Sequence, residues 1–192
     1  KRATRQLISN IATKLFVDRG FNHVSVDEVA AAADISKMTV FNYFPRKEDL
    51  FFDRNDDVQR LIRNALENRG RSSPIAALRT LTRGMVEQGH PITKTDRIVV
   101  RYWKVVANSP ALRARALEQL EELERELGGW IAASVDAAHE DPLARMISGT
   151  ILRAWRIALA ETLRPRPSAT FLQLLDHGFG GARAIARGTP YA

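Results

Sequence analysis

The stretch SKMTVFNYFPRKEDL, Ser36 to Leu50, carries more hydrogen-bonding side chains than a short helix needs to fill a core. Ser36 is a favourable N-cap, and Pro45 bars continuation of a helix past Phe44. Val40 and Phe44 make one apolar stripe. Lys37, Met38, Thr39, Asn42 and Tyr43 occupy the other faces and offer an ammonium, a thioether methyl, a hydroxyl, a carboxamide and a phenol. Arg46 and Lys47 follow the proline at once. Such a set suits recognition of an outside surface by hydrogen bonds and methyl contacts, not the making or breaking of bonds.

Nothing else in the chain offers catalysis. There is no H-E-x-x-H, no Walker loop and no G-x-S-x-G motif. The chain has no cysteine, which removes disulfides, iron–sulfur clusters and thiol nucleophiles and fits a reducing compartment. His23, His90, His139 and His177 lack the i,i+4 spacing of metal ligands, so neither metal nor cofactor is expected. The GFGG run at Gly178–Gly181 follows no strand and opens no helix, so it reads as helix packing. Five glutamates between Glu118 and Glu126, with Arg113, Arg115 and Arg125 nearby, read as a solvated helix face with ion pairs.

The elements that must position the Ser36–Leu50 stretch are helices. Leu7, Ile8, Ile11, Ala12, Leu15 and Phe16 form a helical stripe that Gly20 closes. Ser25-Val26-Asp27-Glu28 is a capping box, and Val29, Ala30 and Ala33 are the inner face of the helix it starts. A fourth helix is predicted from near Lys47 to Arg69. Ser73-Pro74, Ser109-Pro110 and Asp141-Pro142 each set a capping oxygen before a proline at the first helical position, with Pro91 expected to act similarly. The implied helices run over 74–89, 93–107, 110–137, 142–164 and 168–187, with Gly128-Gly129 as a bend or split in the third and Pro165 and Pro167 between the last two. The expected architecture is all-α with about nine helices.

The helices at 25–33 and 36–44 meet through a tight turn. Ala30 is small enough for close approach, and Asp34 tolerates a left-handed backbone better than most residues. Val29, Ala33, Ile35, Val40 and Phe44 pin the second helix to the first. This is a helix-turn-helix, in which the N-terminal half of the second helix enters the DNA major groove. The sequence VSVDEVAAAADISKMTVFNYFPRKEDL resembles the DNA-binding domain of the TetR family of bacterial transcriptional regulators over residues 5–52. The resemblance implies a helix-turn-helix domain over 1–53 and a helical effector-binding and dimerisation domain over 54–192.

It also implies roles. Ser25 bonds a phosphate from a helix N-terminus. Lys37, Met38 and Thr39 face base edges, where lysine donates to guanine and methyl groups meet thymine. Tyr43 and Lys47 bond backbone phosphates, and Ser36, Phe41 and Asn42 complete the DNA-facing set. Phe41 stands where the family commonly has Tyr, so one hydroxyl is lost, and Met38 stands where a small residue is frequent. Arg46 replaces the usual cap of the fourth helix and is free to reach a phosphate instead. For Lys1, Arg2 and Arg5 two readings stand equally: contact with the DNA backbone or minor groove, or a frayed, solvated end.

For the larger part, two broad apolar helices are expected to form a four-helix dimer interface through Ile147, Ile151, Ala154, Ala158, Leu172, Leu175, Gly178, Phe179 and Ala182. Met85, Tyr102, Trp103, Val106, Leu120, Trp130 and Trp155 are candidate lining for a hydrophobic or aromatic effector.

The 192 residues are 45% hydrophobic, enough for a sizeable core. The net charge of +7 suits a polyanionic partner. It does not locate one, because residues 1–54 hold nine Lys/Arg against seven Asp/Glu. No apolar run approaches the ~20 residues of a membrane span, and no signal-peptide region opens the chain, so a cytoplasmic, nucleoid-associated protein is expected. The first residue is Lys1 rather than Met, and a missing native N-terminal piece is allowed for. The combined expectation is a homodimeric repressor of a near-palindromic double-stranded operator, released by a small-molecule effector with the fourth helix as lever. Two rivals remain at this stage: a DNA-binding dimer whose C-terminal part serves protein contacts only, and a helical enzyme or carrier with a vestigial helix-turn-helix.

Overall fold

The computed structural model describes residues 1–53, 55–93, 97–162, 164 and 166–192. Among these the protein is all-α. Its nine helices are α1 (Arg2–Arg19), α2 (Val26–Ala32), α3 (Lys37–Tyr43), α4 (Asn55–Glu67), α5 (Pro74–Glu87), α6 (Arg97–Asn108), α7 (Pro110–Ala133), α8 (Pro142–Thr162) and α9 (Phe171–Ile185). Short 3-10 turns occur at Phe21–His23, Lys47–Leu50 and Pro91–Thr93. None of these helices is long and apolar enough to cross a membrane.

Local chemistry sets most of the starts. Ser73 accepts from the Ala76 amide at 3.2 Å, Ser109 from the Leu112 amide at 3.3 Å, and Asp141 from Leu143 and Ala144 at 2.9 Å. Each satisfies amides that the first helical turn leaves free. A further capping box, Thr170 with Gln173, starts α9 and was not anticipated.

The structure departs from several of the expected boundaries. The helix predicted from Lys47 begins instead at Asn55. Before it, the Asp49 carboxylate accepts from the Arg46 amide at 3.2 Å, and the Phe51 amide donates to Glu48 at 3.0 Å. These three-residue links close a tighter turn that sends both Leu50 and Phe51 into the core. Helix α7 is not split at Gly128-Gly129, and both glycines sit at close packing contacts. A Cβ on Gly128 would stand 3.3 Å from the Arg145 backbone, and one on Gly129 would strike the His139 ring. α7 also stops at Ala133, short of 137, because Asp136 turns the chain at φ 58°. The start of α6 expected at 93, and the assignments at Leu163 and Pro165, touch 94–96, 163 and 165, which lie outside the described residues.

The chain forms two compact units. The first comprises Lys1–Asp56 and Arg97–Glu118. Its core joins Ile8, Phe16, Val29, Val40, Phe44 and Leu50 to Val106 and Leu112 from the later segment. The ring of Tyr102 stacks on Phe51 at 4.2 Å and its hydroxyl donates to the Phe51 carbonyl at 2.9 Å. The second unit comprises Asp57–Asp96 and Gln119–Ala192. Its core centres on Ile131, Ile147, Ile151, Leu175, Phe179 and Ala182, with α9 packed between α8 and α5.

Candidate nucleic-acid interface

The first unit builds a helix-turn-helix from α2 and α3. Ala30 is 4% exposed at their contact, and its carbonyl accepts from the Ile35 amide at 3.0 Å. Asp34 takes φ 54°, the left-handed turn that the sequence assigns to it. Val40 and Phe44, fully buried or nearly so, anchor α3 from below. The opposite side of α3 is free: Met38 is 70% exposed and Phe41 39%. Lys37 and Asn42 are exposed, and Thr39 and Tyr43 are half-buried.

Several of the polar tips already have partners within the chain. The Lys37 ammonium lies 2.8 Å from the Asp27 carboxylate on α2. Ser36 and Thr39 share a hydroxyl–hydroxyl bond of 2.8 Å, and the Ser36 oxygen also accepts from the Thr39 amide at 3.0 Å. The Lys47 ammonium donates to the Phe21 carbonyl at 2.6 Å and lies 4.2 Å from the Phe21 ring centre. Burial there pushes Lys47 below the ordinary lysine value.

At the start of α2, Ser25 and Glu28 close a reciprocal box. The Ser25 amide and hydroxyl donate to the Glu28 carboxylate at 2.8 and 2.9 Å, and the Ser25 oxygen accepts from the Glu28 amide at 3.2 Å. The Ser25 amide, then the Arg19 guanidinium, hold the Glu28 carboxyl down at about 2. Ser25 itself is exposed.

Two arginines near this surface have partners within the chain. Arg5 pairs with Asp53, donates to the Tyr43 carbonyl at 2.8 Å and covers the Phe44 ring at 4.5 Å. Arg46 pairs with Glu118 at 2.7 Å. Sequence reasoning missed Asp27 and Asp49 as partners here. Their positions in first turns were readable, but not the side chains that meet them.

The candidate lining residues are divided between the units. Tyr102, Trp103 and Val106 belong to the first, where Val106 is buried core. Met85, Leu120, Trp130 and Trp155 belong to the second. Met85 is buried, and Trp155 meets Phe171 edge-on at 5.3 Å. Trp130 lines a groove of about 380 Å3 with Leu66 and Ala133, and the Arg63 guanidinium lies 5.4 Å from its ring centre.

Of the residues expected to meet a second copy, Ile147, Ile151, Ala158, Leu175, Phe179 and Ala182 are buried within the second unit itself. Ala154, Leu172 and Gly178 are half-buried. The reason is the tight α8–α9 crossing. A Cβ on Gly178 would stand only 2.1 Å from that of Ala154, so the broad apolar faces are spent on each other. What α8 leaves outside is Met146, 59% exposed, and Ile157, 48% exposed.

Residues 8–53 match the family described as bacterial regulatory proteins, tetR family. Over 187 residues, 91% of this chain and 82% of the relative, the sequence is 28% identical to the HTH-type transcriptional regulator TcmR of Streptomyces glaucescens. Over 64 residues, 33% of this chain and 31% of the relative, it is 36% identical to the HTH-type transcriptional regulator LuxR of Vibrio harveyi. Among solved structures it is similar to FadR of Thermus thermophilus, a TetR-family transcriptional repressor in complex with lauroyl-CoA. The TM-score is 0.60 at 24% identity, covering 93% of this chain and 92% of that one. It is also similar to NalD, the secondary repressor of the MexAB-OprM multidrug efflux pump in Pseudomonas aeruginosa, at TM-score 0.55 and 21% identity, covering 94% and 98%.

Proposed function

From the premise that this chain is a TetR-family transcriptional regulator, a DNA-binding protein and not an enzyme, we propose that it acts as a cytoplasmic homodimeric repressor whose α3 helices read a near-palindromic operator. The observation that carries this reading is the exposed face of α3. A helix seated on Val40 and Phe44 turns Lys37, Met38 and Asn42 outward into solvent, away from the core. Met38 meets a thymine methyl, Lys37 and Thr39 meet base edges, and Ser25, Ser36, Tyr43 and Lys47 lie toward the backbone beside Phe41. Lys47 contributes only by exchanging its Phe21 carbonyl for a phosphate. In a dimer the two α3 helices enter major grooves about 34–36 Å apart, or a multiple of that.

The second copy docks on the outer face of α8 and α9. Met146 and Ile157 lie about three turns apart on one side of α8. Thr150, between them, adjoins Gly181 of α9, where an added Cβ would stand 3.7 Å from the threonine methyl. Small residues next to apolar ones suit close helix contact across a two-fold axis.

The second unit takes a small apolar effector, with Met85, Leu120, Trp130 and Trp155 as its candidate contacts. The FadR neighbour holds lauroyl-CoA, so a fold of this kind can house an apolar-tailed ligand. Helices α4 and α7 each carry the chain from one unit into the other, which makes them the connections along which effector binding alters the reading helices. The effector acts only through different affinities for two conformers.

Selection of bound fragments from random DNA tests the reading. A palindromic site is expected, with affinity falling steeply with salt. Lys37→Ala and Thr39→Ala are each expected to lose about 1–3 kcal/mol of discrimination at defined bases. Weak, sequence-blind binding by parent and variants alike overturns it. An effector raises the melting temperature and loosens the operator together; a ligand that does only the first is not the effector.

A further inference from the structure

Resting on the reading of α3 as the element that meets DNA, we infer that Asp27 belongs to the reading head: its carboxylate holds the Lys37 ammonium and limits how far that cation rewards binding to any sequence. Asp27 sits in the first turn of α2 and Lys37 is the first residue of α3, 2.8 Å away across the turn. Their side chains are 64% and 52% exposed. An ion pair so open to water adds little to the fold. What it changes is Lys37.

A free ammonium at the edge of a recognition helix is drawn to any phosphate, because counterion release favours each neutralised phosphate whatever the sequence. With Asp27 beside it, Lys37 brings a carboxylate toward any phosphate it meets, and the repulsion between the two anions offsets much of the attraction. A guanine edge asks for less. Its O6 and N7 are neutral acceptors that the ammonium meets while still paired, and the paired cytosine offers an amino donor to a carboxylate. The pair therefore penalises phosphate relative to a base edge.

The cations around α3 follow one pattern. Lys47 is held by the Phe21 carbonyl, Arg46 by Glu118, and Arg5 by Asp53 and the Tyr43 carbonyl. The reading face thus presents Met38 and Phe41 more freely than it presents charge.

The test uses the full chain, the selected operator and a random-sequence duplex of equal length, titrated over a range of salt. Asp27→Asn is expected to bind the random duplex about 3–10-fold tighter, with a salt slope steeper by about 1 per subunit, and to lower the operator-to-random ratio. In a Lys37→Met background the same substitution is expected to have less than half that effect. Asp27→Gln serves as a second variant, with melting temperatures checking that each is folded. The inference is overturned if Asp27→Asn leaves ratio and slope as in the parent. It is equally overturned if the change is the same with and without Lys37, since a carboxylate acting only at long range does not hold the lysine. A parent that prefers no sequence defeats the reading of α3 itself, while the slopes on random DNA still decide the role of Asp27.

Discussion

Arg115 of α7 and Asp49 of the turn after α3 pair at 2.7 Å, with only 17% and 15% of their side chains exposed. Asp49 also accepts from the Arg46 amide, and Arg115 also reaches Glu118, which holds the Arg46 guanidinium. Within the first unit, α7 and the turn after α3 are thus joined by a small charge network. The Arg115 and Arg46 guanidinia hold the Glu118 carboxyl below its ordinary range. Arg115→Met is expected to destabilise this unit by about 1–3 kcal/mol, because it strands the largely buried Asp49 carboxylate. Asp49→Asn with Arg115→Met together should cost less than the sum. Denaturant titration of the three variants checks both statements.

Met38→Ala separates function from folding. The side chain is 70% exposed, so stability should move by less than about 0.5 kcal/mol. Operator affinity is expected to fall at thymine positions while binding to random DNA stays unchanged. Phe16→Ala supplies the contrast: that ring is fully buried, and its loss should cost about 3–5 kcal/mol.

Two neighbouring glycines of α9 should respond in opposite directions. Gly178→Ala forces a methyl to 2.1 Å from the Ala154 Cβ, so α8 and α9 must separate, at a cost of about 1–3 kcal/mol. Gly180 has nothing within 4 Å of an added Cβ, and Gly180→Ala should gain about 0.5–1 kcal/mol from helix propensity. Thermal melts of the pair decide it.

Acid should loosen the protein in steps that two carboxylates explain. Glu28 is held down from 4.5 to about 2 by the Ser25 amide and Arg19, and Asp176 from 3.8 to about 2 by Arg83 and Arg79. Both are depressed on folding, so their contributions are complete above the unfolded values and vanish as pH falls toward about 2. Melting temperature is expected to drop between about pH 5 and pH 2, and Glu28→Gln or Asp176→Asn should each flatten that drop. An unchanged profile in both variants speaks against these partners.

Ile157→Glu and Met146→Glu place a charge on the outer face of α8 without entering the core. Sedimentation should find each variant shifted from dimer toward monomer, with helix content kept. Leu175→Ala, by contrast, opens a cavity in the second unit's own core and should lower stability by about 2–5 kcal/mol.

The sequence by itself determined what depends on neighbours along the chain. Ser25, Ser73, Ser109 and Asp141 cap helices because a side-chain oxygen and the amides it satisfies lie within three residues of each other. Asp34 turns left-handed for an equally local reason, and the ordered run from Ser25 to Leu50 identified a helix-turn-helix before any contact was known. Only the tertiary structure decided what those elements meet. Ile147 and Phe179 read as surface for a second copy until α8 and α9 closed on each other, since periodicity names an apolar face but not its partner. Tyr102 read as candidate pocket lining, and only the fold shows its ring stacked on Phe51. Lys37 read as a donor to a base edge, and only the fold shows α2 carrying Asp27 to 2.8 Å from it. Each of these turns on residues distant along the chain brought together by packing, and spacing rules that span one or two helical turns carry no information at that range.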